Sequence, residues 1–147
     1  MIYLGADHRG YKQKNELKKF LDEQGYQVTD MGTDSDESVD YPLIAKQVAD
    51  NVSEDLNNRG ILICGSSAGV CIAANKIKGI RAASAWTEEV ARSARADDNV
   101  NVLCLAADDI SAEDAKQIAR AFLNTSFRSE DRYKRRIAQI DEMEKGK

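Results

Sequence analysis

The chain has one proline, one histidine and three cysteines in 147 residues, and only 6% of it is aromatic. A lone histidine argues against a His-rich metal site. Three cysteines, odd in number and without CxxC spacing, argue against a disulfide framework or a zinc site, so no metal is expected. No apolar run approaches the roughly 20 residues of a membrane span, so no membrane partner is expected. Positive charge is not in excess. The net charge of −4 argues against general nucleic-acid binding, which needs a basic face. No charged-then-apolar leader opens the sequence, and the expected compartment is the cytoplasm.

What is there is ordinary in amount: 42% hydrophobic and 31% charged residues, as in a globular protein. The length suits a single domain over residues 1–147, with room for a sizeable core. Charge is unevenly spread. Residues 128–147 carry seven basic and five acidic side chains, so that stretch is +2 and the remainder −6. This fits a local anion site better than a polyanion-binding surface.

Strand and helix patterns alternate throughout. Met1–Ala6 reads as a strand. Leu17, Phe20 and Leu21 share one face of a helix over residues 11–24, which Gly25 ends. Tyr26–Met31 reads as a second strand and residues 32–40 as a loop. Pro42 stands in a first helical turn, where its missing N–H costs nothing. Ile44, Val48, Val52 and Leu56 then recur every four residues. Ile61–Cys64 is a third strand, followed by a helix over about residues 69–76 with Asn75-Lys76 at its end. Ile80–Ser84 is a fourth strand. Thr87 caps the next helix, and Arg92 and Arg95 close it. Val100–Leu105 is a fifth strand, and Ser111 caps an amphipathic helix. Ile137, Ile140 and Met143 form a thin apolar stripe on a charged last helix, suited to a second subunit or to the parent domain. The expectation is an α/β Rossmann-like three-layer sandwich with about five parallel strands, helices on both faces and a C-terminal helix.

The most informative segment is Gly60–Val70. A buried strand ends in Cys64, a loop of small residues follows, and a helix begins. That arrangement puts a thiol beside free backbone N–H groups, which favour negative charge and a thiolate. It is not a P-loop, because no Gly-Lys-Ser/Thr follows, and it lacks GxGxxG spacing. An arginine six residues after Cys64, as a cysteine phosphatase needs, is replaced by Val70. From the local pattern the segment reads equally as a tight turn around a buried cysteine or as a ligand loop. Asp7-His8-Arg9-Gly10, after the first strand, is open to the same two readings. Cys104 reads as core, Cys71 as a small helix residue, and the basic cluster at 132–136, taken alone, as a solvated face. Parallel sheets bind ligands outside the carboxyl ends of their strands. That rule joins Asp7 and Cys64, and it does not by itself bring Asp97–Asn99, before the fifth strand, to the same rim.

Taken together, these segments resemble the ribose-5-phosphate isomerase B family, which includes galactose-6-phosphate isomerase subunits. The matching stretches are Gly5–Gly10, Asp40-Tyr41-Pro42, Gly60–Gly65 through Gly69, Ile72–Lys76, Gly79–Ala83, Asn101-Val102-Leu103 and the tail arginines. The resemblance implies interconversion of ribose 5-phosphate and ribulose 5-phosphate without a cofactor, in a homodimer or homotetramer with shared sites. It implies Cys64 as the base that moves a proton between C1 and C2. Backbone N–H groups of Gly65, Ser66, Ser67, Ala68 and Gly69 would hold the enediolate oxygen. Asp7 would bind sugar hydroxyls, and His8, Arg132 and Arg136 the phosphate.

The sequence also departs from that pattern. Asp97 and Asp98 stand at a His-Asn pair whose histidine opens the sugar ring. Asp108 stands at a phosphate-binding arginine, where an acid would repel the phosphate. Ser129-Glu130-Asp131 replaces a Gly-Gly pair, and Ser67 stands where glycine is common. The departures fall on ring opening and phosphate binding, while the proton-transfer loop is intact. Three readings therefore stand: a ribose-5-phosphate isomerase, an isomerase of another sugar phosphate in which a partner subunit supplies missing groups, and a non-catalytic sugar-phosphate binder.

Overall fold

A computed structural model describes residues 1–146. Five strands form one parallel sheet: β1 (Ile2–Ala6), β2 (Val28–Asp30), β3 (Arg59–Cys64), β4 (Ala82–Ser84) and β5 (Val102–Ala106). The helices are α1 (Tyr11–Glu23), α2 (Tyr41–Ser53), α3 (Ala68–Ala74), α4 (Glu88–Asp98), α5 (Ala112–Asn124) and α6 (Asp131–Lys145). The spatial order is β2-β1-β3-β5-β4. The chain winds outward from β1 to β2, returns to β3 and winds the other way to β4, so the winding reverses between β1 and β3. At such a reversal the two connections part and leave a crevice beyond the strands' carboxyl ends.

Alternation along the buried strands sorts side chains to two faces. Leu4, Ile61, Ile63, Leu103 and Leu105 pack with Leu17, Leu21, Ile118 and Phe122. Leu62, Cys64, Val102 and Cys104 face Ile44, Val48, Val52 and Val70 on the other side. Each large apolar side chain buried in this way contributes about 1.5–3 kcal/mol. The period of two is what turns Cys64 toward α2 and α3, away from the α1–α5 layer.

Local signals explain most boundaries. Thr87 Oγ1 accepts the Val90 N–H at 3.1 Å and Ser111 Oγ the Asp114 N–H at 3.0 Å, both caps expected from sequence. Gly25, with φ +87°, follows α1 in the left-handed conformation that glycine tolerates. Two expectations are corrected. The second strand is three residues long, because Tyr26, Gln27 and Met31 lie outside the ladder. Leu56 falls beyond α2 and is 94% exposed, so the four-residue repeat loses its burial when the helix ends at Ser53. Arg95 stands in the last turn of α4, as expected, and is buried there. Its guanidinium donates to Asn99 Oδ1 and Val100 O, both at 2.8 Å, and to Thr125 O at 3.3 Å. Burial and the nearby Arg59 and Arg81 lower its pKa to about 10.

Two asparagines brace the start of β4. Asn75 donates to Ala82 O and accepts the Ala82 N–H, at 2.9 and 2.8 Å. Asn101 accepts the Arg81 N–H at 2.8 Å and donates to Gly79 O at 2.9 Å. Each side-chain amide stands in for a missing backbone partner.

Candidate active site

The crevice at the sheet reversal is built by two turns. After β1, Asp7 is buried and its Oδ1 accepts the N–H groups of Arg9 and Gly10 at 3.0 and 3.1 Å. One carboxylate oxygen thus closes the turn into α1. The bland reading of Asp7 is right for Oδ1 and leaves Oδ2 for other work. His8 Nδ1 accepts the Val39 N–H at 3.3 Å. A ring nitrogen that accepts carries no proton, so neutral His8 holds its proton on Nε2 and presents a donor there.

After β3, Cys64 is 4% exposed and ends the strand opposite Ala106. Ala107 N–H donates to Cys64 O at 2.8 Å and Asp108 N–H to Gly65 O at 3.0 Å, tying the loop to the end of β5. The N–H groups of Gly65, Ser66, Ser67, Ala68 and Gly69 have no backbone or side-chain acceptor among the described residues. Such a set of unpaired donors can hold an anionic oxygen. Ser67 adopts φ +67°, the left-handed region, which explains why glycine suits this position. Conformational strain of about 1 kcal/mol is opposed by its Oγ, 2.8 Å from Ser84 Oγ.

Three glycines permit close approach here. A Cβ on Gly10 would lie 2.6 Å from Ile63 O, so α1 starts hard against β3. A Cβ on Gly65 would lie 2.3 Å from the Arg9 guanidinium carbon, and one on Gly69 would lie 2.6 Å from the Tyr41 ring. Asp108, read as a bare acid in the sequence, forms an ion pair with Arg9. Its charge is therefore compensated within the site.

Asp7, His8, Cys64 and the Gly65–Gly69 loop meet at the carboxyl rim. Arg132 and Arg136 do not join them. Arg128 N–H donates to Ala96 O at 2.8 Å, which fastens the start of α6 to the end of α4, where the chain turns into the amino end of β5. The two arginines lie at that opposite rim, with Arg128, Arg132 and Arg136 5.6, 4.8 and 5.8 Å from the Tyr133 ring. Asp97 lies there too, with Arg128 Nε 3.1 Å from its Oδ1. The contact is off the line of a hydrogen bond, since that oxygen has no hydrogen-bond partner among the described residues. Further along α6, Ile140 and Met143 are exposed beside a groove of about 870 Å³ lined also by Asn75, Ile80 and Ala82.

The other cysteines pair with each other. The neighbouring Cys104 thiol brings the pKa of the half-buried Cys71 down to about 7, against the opposing effect of burial. Cys104, fully buried, is held well above its ordinary value. Cys71 Sγ also lies 3.4 Å from Ala82 O, a bond it makes only as the thiol. Nothing in the Cys71 or Cys104 spacing signalled this pair, which forms across α3 and β5. No cluster of three or more His, Cys, Asp or Glu side chains suited to a metal ion occurs among the described residues. No described helix is long and apolar enough to cross a membrane.

Residues 2–140 match the model of a family described as Ribose/Galactose Isomerase. The chain is 40% identical over 147 residues to a probable ribose-5-phosphate isomerase B of Mycoplasma pneumoniae, covering 99% of this chain and 96% of that one. It is 39% identical over 127 residues to a D-erythrulose-4-phosphate isomerase of Pectobacterium atrosepticum, covering 86% and 84%. Among solved structures, ribose-5-phosphate isomerase B of Mycoplasma genitalium with bound ribulose 5-phosphate superposes with a TM-score of 0.95 at 38% identity, covering 99% and 97%.

Proposed function

The chain belongs to the Ribose/Galactose Isomerase family, and on that premise we propose that it interconverts ribose 5-phosphate and ribulose 5-phosphate. The reaction is an intramolecular oxidoreduction. A proton leaves C2 of the aldose, an enediolate forms, and a proton returns to C1 while a second passes from O2 to O1. The observation that carries this reading is the buried Cys64 at the carboxyl end of β3, beside the sheet reversal and immediately before five unpartnered N–H groups. As thiolate, Cys64 takes the C2 proton and returns it to C1, acting as a general base and then acid. The Gly65–Gly69 donors meet the oxygen where charge develops. One such donor is worth roughly 10²–10³ in rate. Asp7 Oδ2 takes a sugar hydroxyl, and His8 Nε2–H donates to the phosphate.

Arg132 and Arg136 reach the phosphate from a second copy. Their place at the rim opposite Cys64 and the uncovered Ile140 and Met143 support a homodimer or homotetramer with shared sites. No cofactor enters the scheme, because the two proton transfers balance by themselves.

One observation favours a second reading. Asp97, at the position of the family's ring-opening histidine, is engaged by Arg128 rather than free as an acid. A tetrose 4-phosphate has its O4 phosphorylated and cannot close a furanose ring, so its isomerisation needs no ring opening. The D-erythrulose-4-phosphate isomerase relative is of that substrate class.

The test is solvent deuterium incorporation followed by NMR in heavy water, with ribose 5-phosphate and erythrose 4-phosphate in parallel, for the unmodified protein and Cys64→Ala. Incorporation at the reacting carbons with ketose formation, lost in Cys64→Ala, is expected for ribose 5-phosphate. Turnover of only the tetrose phosphate would select the second reading. Exchange that persists in Cys64→Ala would remove the thiol from the mechanism.

A further inference from the structure

Arg9 has no part in the scheme above, yet the site is shaped around it. Its backbone N–H is fixed by Asp7 Oδ1 at 3.0 Å. Its side chain folds back over the loop that follows Cys64. The guanidinium carbon, Nε and Nη1 would lie 2.3, 2.5 and 2.5 Å from a Cβ on residue 65, so a larger residue there would displace the Arg9 side chain from this position. On its far side Nη2 donates to Asp108. Asp108 in turn holds the loop, through its N–H to Gly65 O at 3.0 Å. Gly65 is thus held at its carbonyl by Asp108 and covered at its α-carbon by Arg9.

This placement does little for the fold. The side chains of Arg9 and Asp108 are 54% and 44% exposed, and an ion pair so open to water adds little stability. The arrangement does fix the direction of a cation. With Nη2 committed to Asp108, Nε and Nη1 have no acceptor among the described residues. Both of the usual two-pronged edges of a guanidinium include Nη2, so Nε–H and Nη1–H are each left to make single charge-assisted hydrogen bonds to an anion. They lie over the first residue of the loop whose own N–H groups are unpaired.

We propose that Arg9 is a substrate-binding residue of the Cys64 site, held over Gly65 by Asp108 so that its remaining Nη1–H donates to the phosphate of the bound sugar. This rests on the sugar-phosphate reading above. Asp108 is its positioning residue, and its carboxylate, spent on Nη2, is not offered to the substrate. The phosphate site would then draw one cation from this rim and two from α6 of a second copy.

Arg9→Ala and Arg9→Lys test the assignment by calorimetric titration with ribulose 5-phosphate and with inorganic phosphate, alongside steady-state kinetics on ribose 5-phosphate. Arg9→Ala is expected to weaken binding of both ligands at least tenfold. KM should rise by a similar factor with a smaller change in kcat, the pattern of a contact made equally in ground and transition states. Arg9→Lys should recover part of the loss, because an ammonium keeps the charge but cannot hold Asp108 and the phosphate in the fixed planar geometry of a guanidinium. Melting curves of both variants should stay close to that of the unmodified protein. Affinities within twofold of the unmodified protein would overturn the assignment, as would a lowered melting temperature with unchanged affinity. A fall in kcat alone would also overturn it and move Arg9 to the reacting end of the sugar. If the unmodified protein binds neither ligand, the sugar-phosphate reading itself fails. If it binds ribulose 5-phosphate without turnover, the calorimetric comparison still decides the role of Arg9.

Discussion

Gly10→Ala is the sharpest structural test of how the two halves of the site are held together. Gly10 has φ −96°, a conformation open to alanine, so the cost is one of space alone. The added methyl would lie 2.6 Å from Ile63 O, 2.8 Å from Ile63 Cγ2 and 2.9 Å from Ile63 C. Two of these atoms are backbone of the central strand and cannot rotate away. Overpacking costs 1–3 kcal/mol, and with backbone on one side the expected loss is about 3 kcal/mol. For a chain of this length that lowers Tm by roughly 6–12 °C. Gly25→Ala is the comparison. There φ is +87° and nothing lies within 4 Å, so the cost is left-handed strain of about 1 kcal/mol. Urea unfolding of both variants gives the difference at constant slope. The relief available to Gly10→Ala is to move the Asp7–Arg9 turn away from β3. A displacement of about 1 Å between Asp7 and Cys64 can cost up to 10²-fold in rate. Activity should therefore fall at temperatures where Gly10→Ala is still fully folded, whereas Gly25→Ala stays active. A Gly10→Ala protein no less stable than Gly25→Ala, or one with unimpaired turnover, would refute the reasoning.

Cys71 is expected to react with iodoacetamide with a half-maximal rate near pH 7, rising with pH as the thiolate forms, while the buried Cys104 stays unlabelled. Peptide mapping after alkylation reads this directly, and a Cys71 that labels only above pH 9 would count against the shared-proton pair. Cys71→Ser should keep isomerase activity, so loss of activity in a thiol reagent is assigned to Cys64 only in that background. Lys14, 1% exposed, donates to Asp30 Oδ2 at 2.6 Å. Lys14→Met keeps the volume but leaves the water-reachable Asp30 carboxylate unpaired, and about 1 kcal/mol of stability should be lost, well short of the loss for a buried pair. Chemical denaturation checks this, and a neutral outcome would mean that Asp30 rehydrates freely.

The elements that the sequence made legible are those encoded within a few residues. Short apolar runs in Ile61–Cys64 and Val100–Leu105 identify buried strands, and Thr87 and Ser111 identify helix starts, because caps and short apolar runs are local physics. The small-residue loop after Cys64 is legible for the same reason. The reading as a turn around a buried cysteine is met, and the open donors after it are what the ligand-loop reading requires. Leu56 shows the limit of periodicity, which continues past the point where the backbone stops being helical.

By itself, then, the sequence determined the alternation of strands and helices, the parallel sheet and the presence of Asp7 and Cys64 at strand ends. Only the tertiary structure decided which ends are neighbours, because the order β2-β1-β3-β5-β4 is set by crossovers rather than by any single segment. It also decided that Arg9 meets Asp108 and that Asp97 meets Arg128, pairs 99 and 31 residues apart. Such contacts depend on how whole elements pack, and no short-range pattern carries them. The rim that holds Arg132 and Arg136 is a property of the fold in the same sense. A helix that follows α5 reaches whichever edge α4 and β5 leave open, and here that edge is the one away from Cys64.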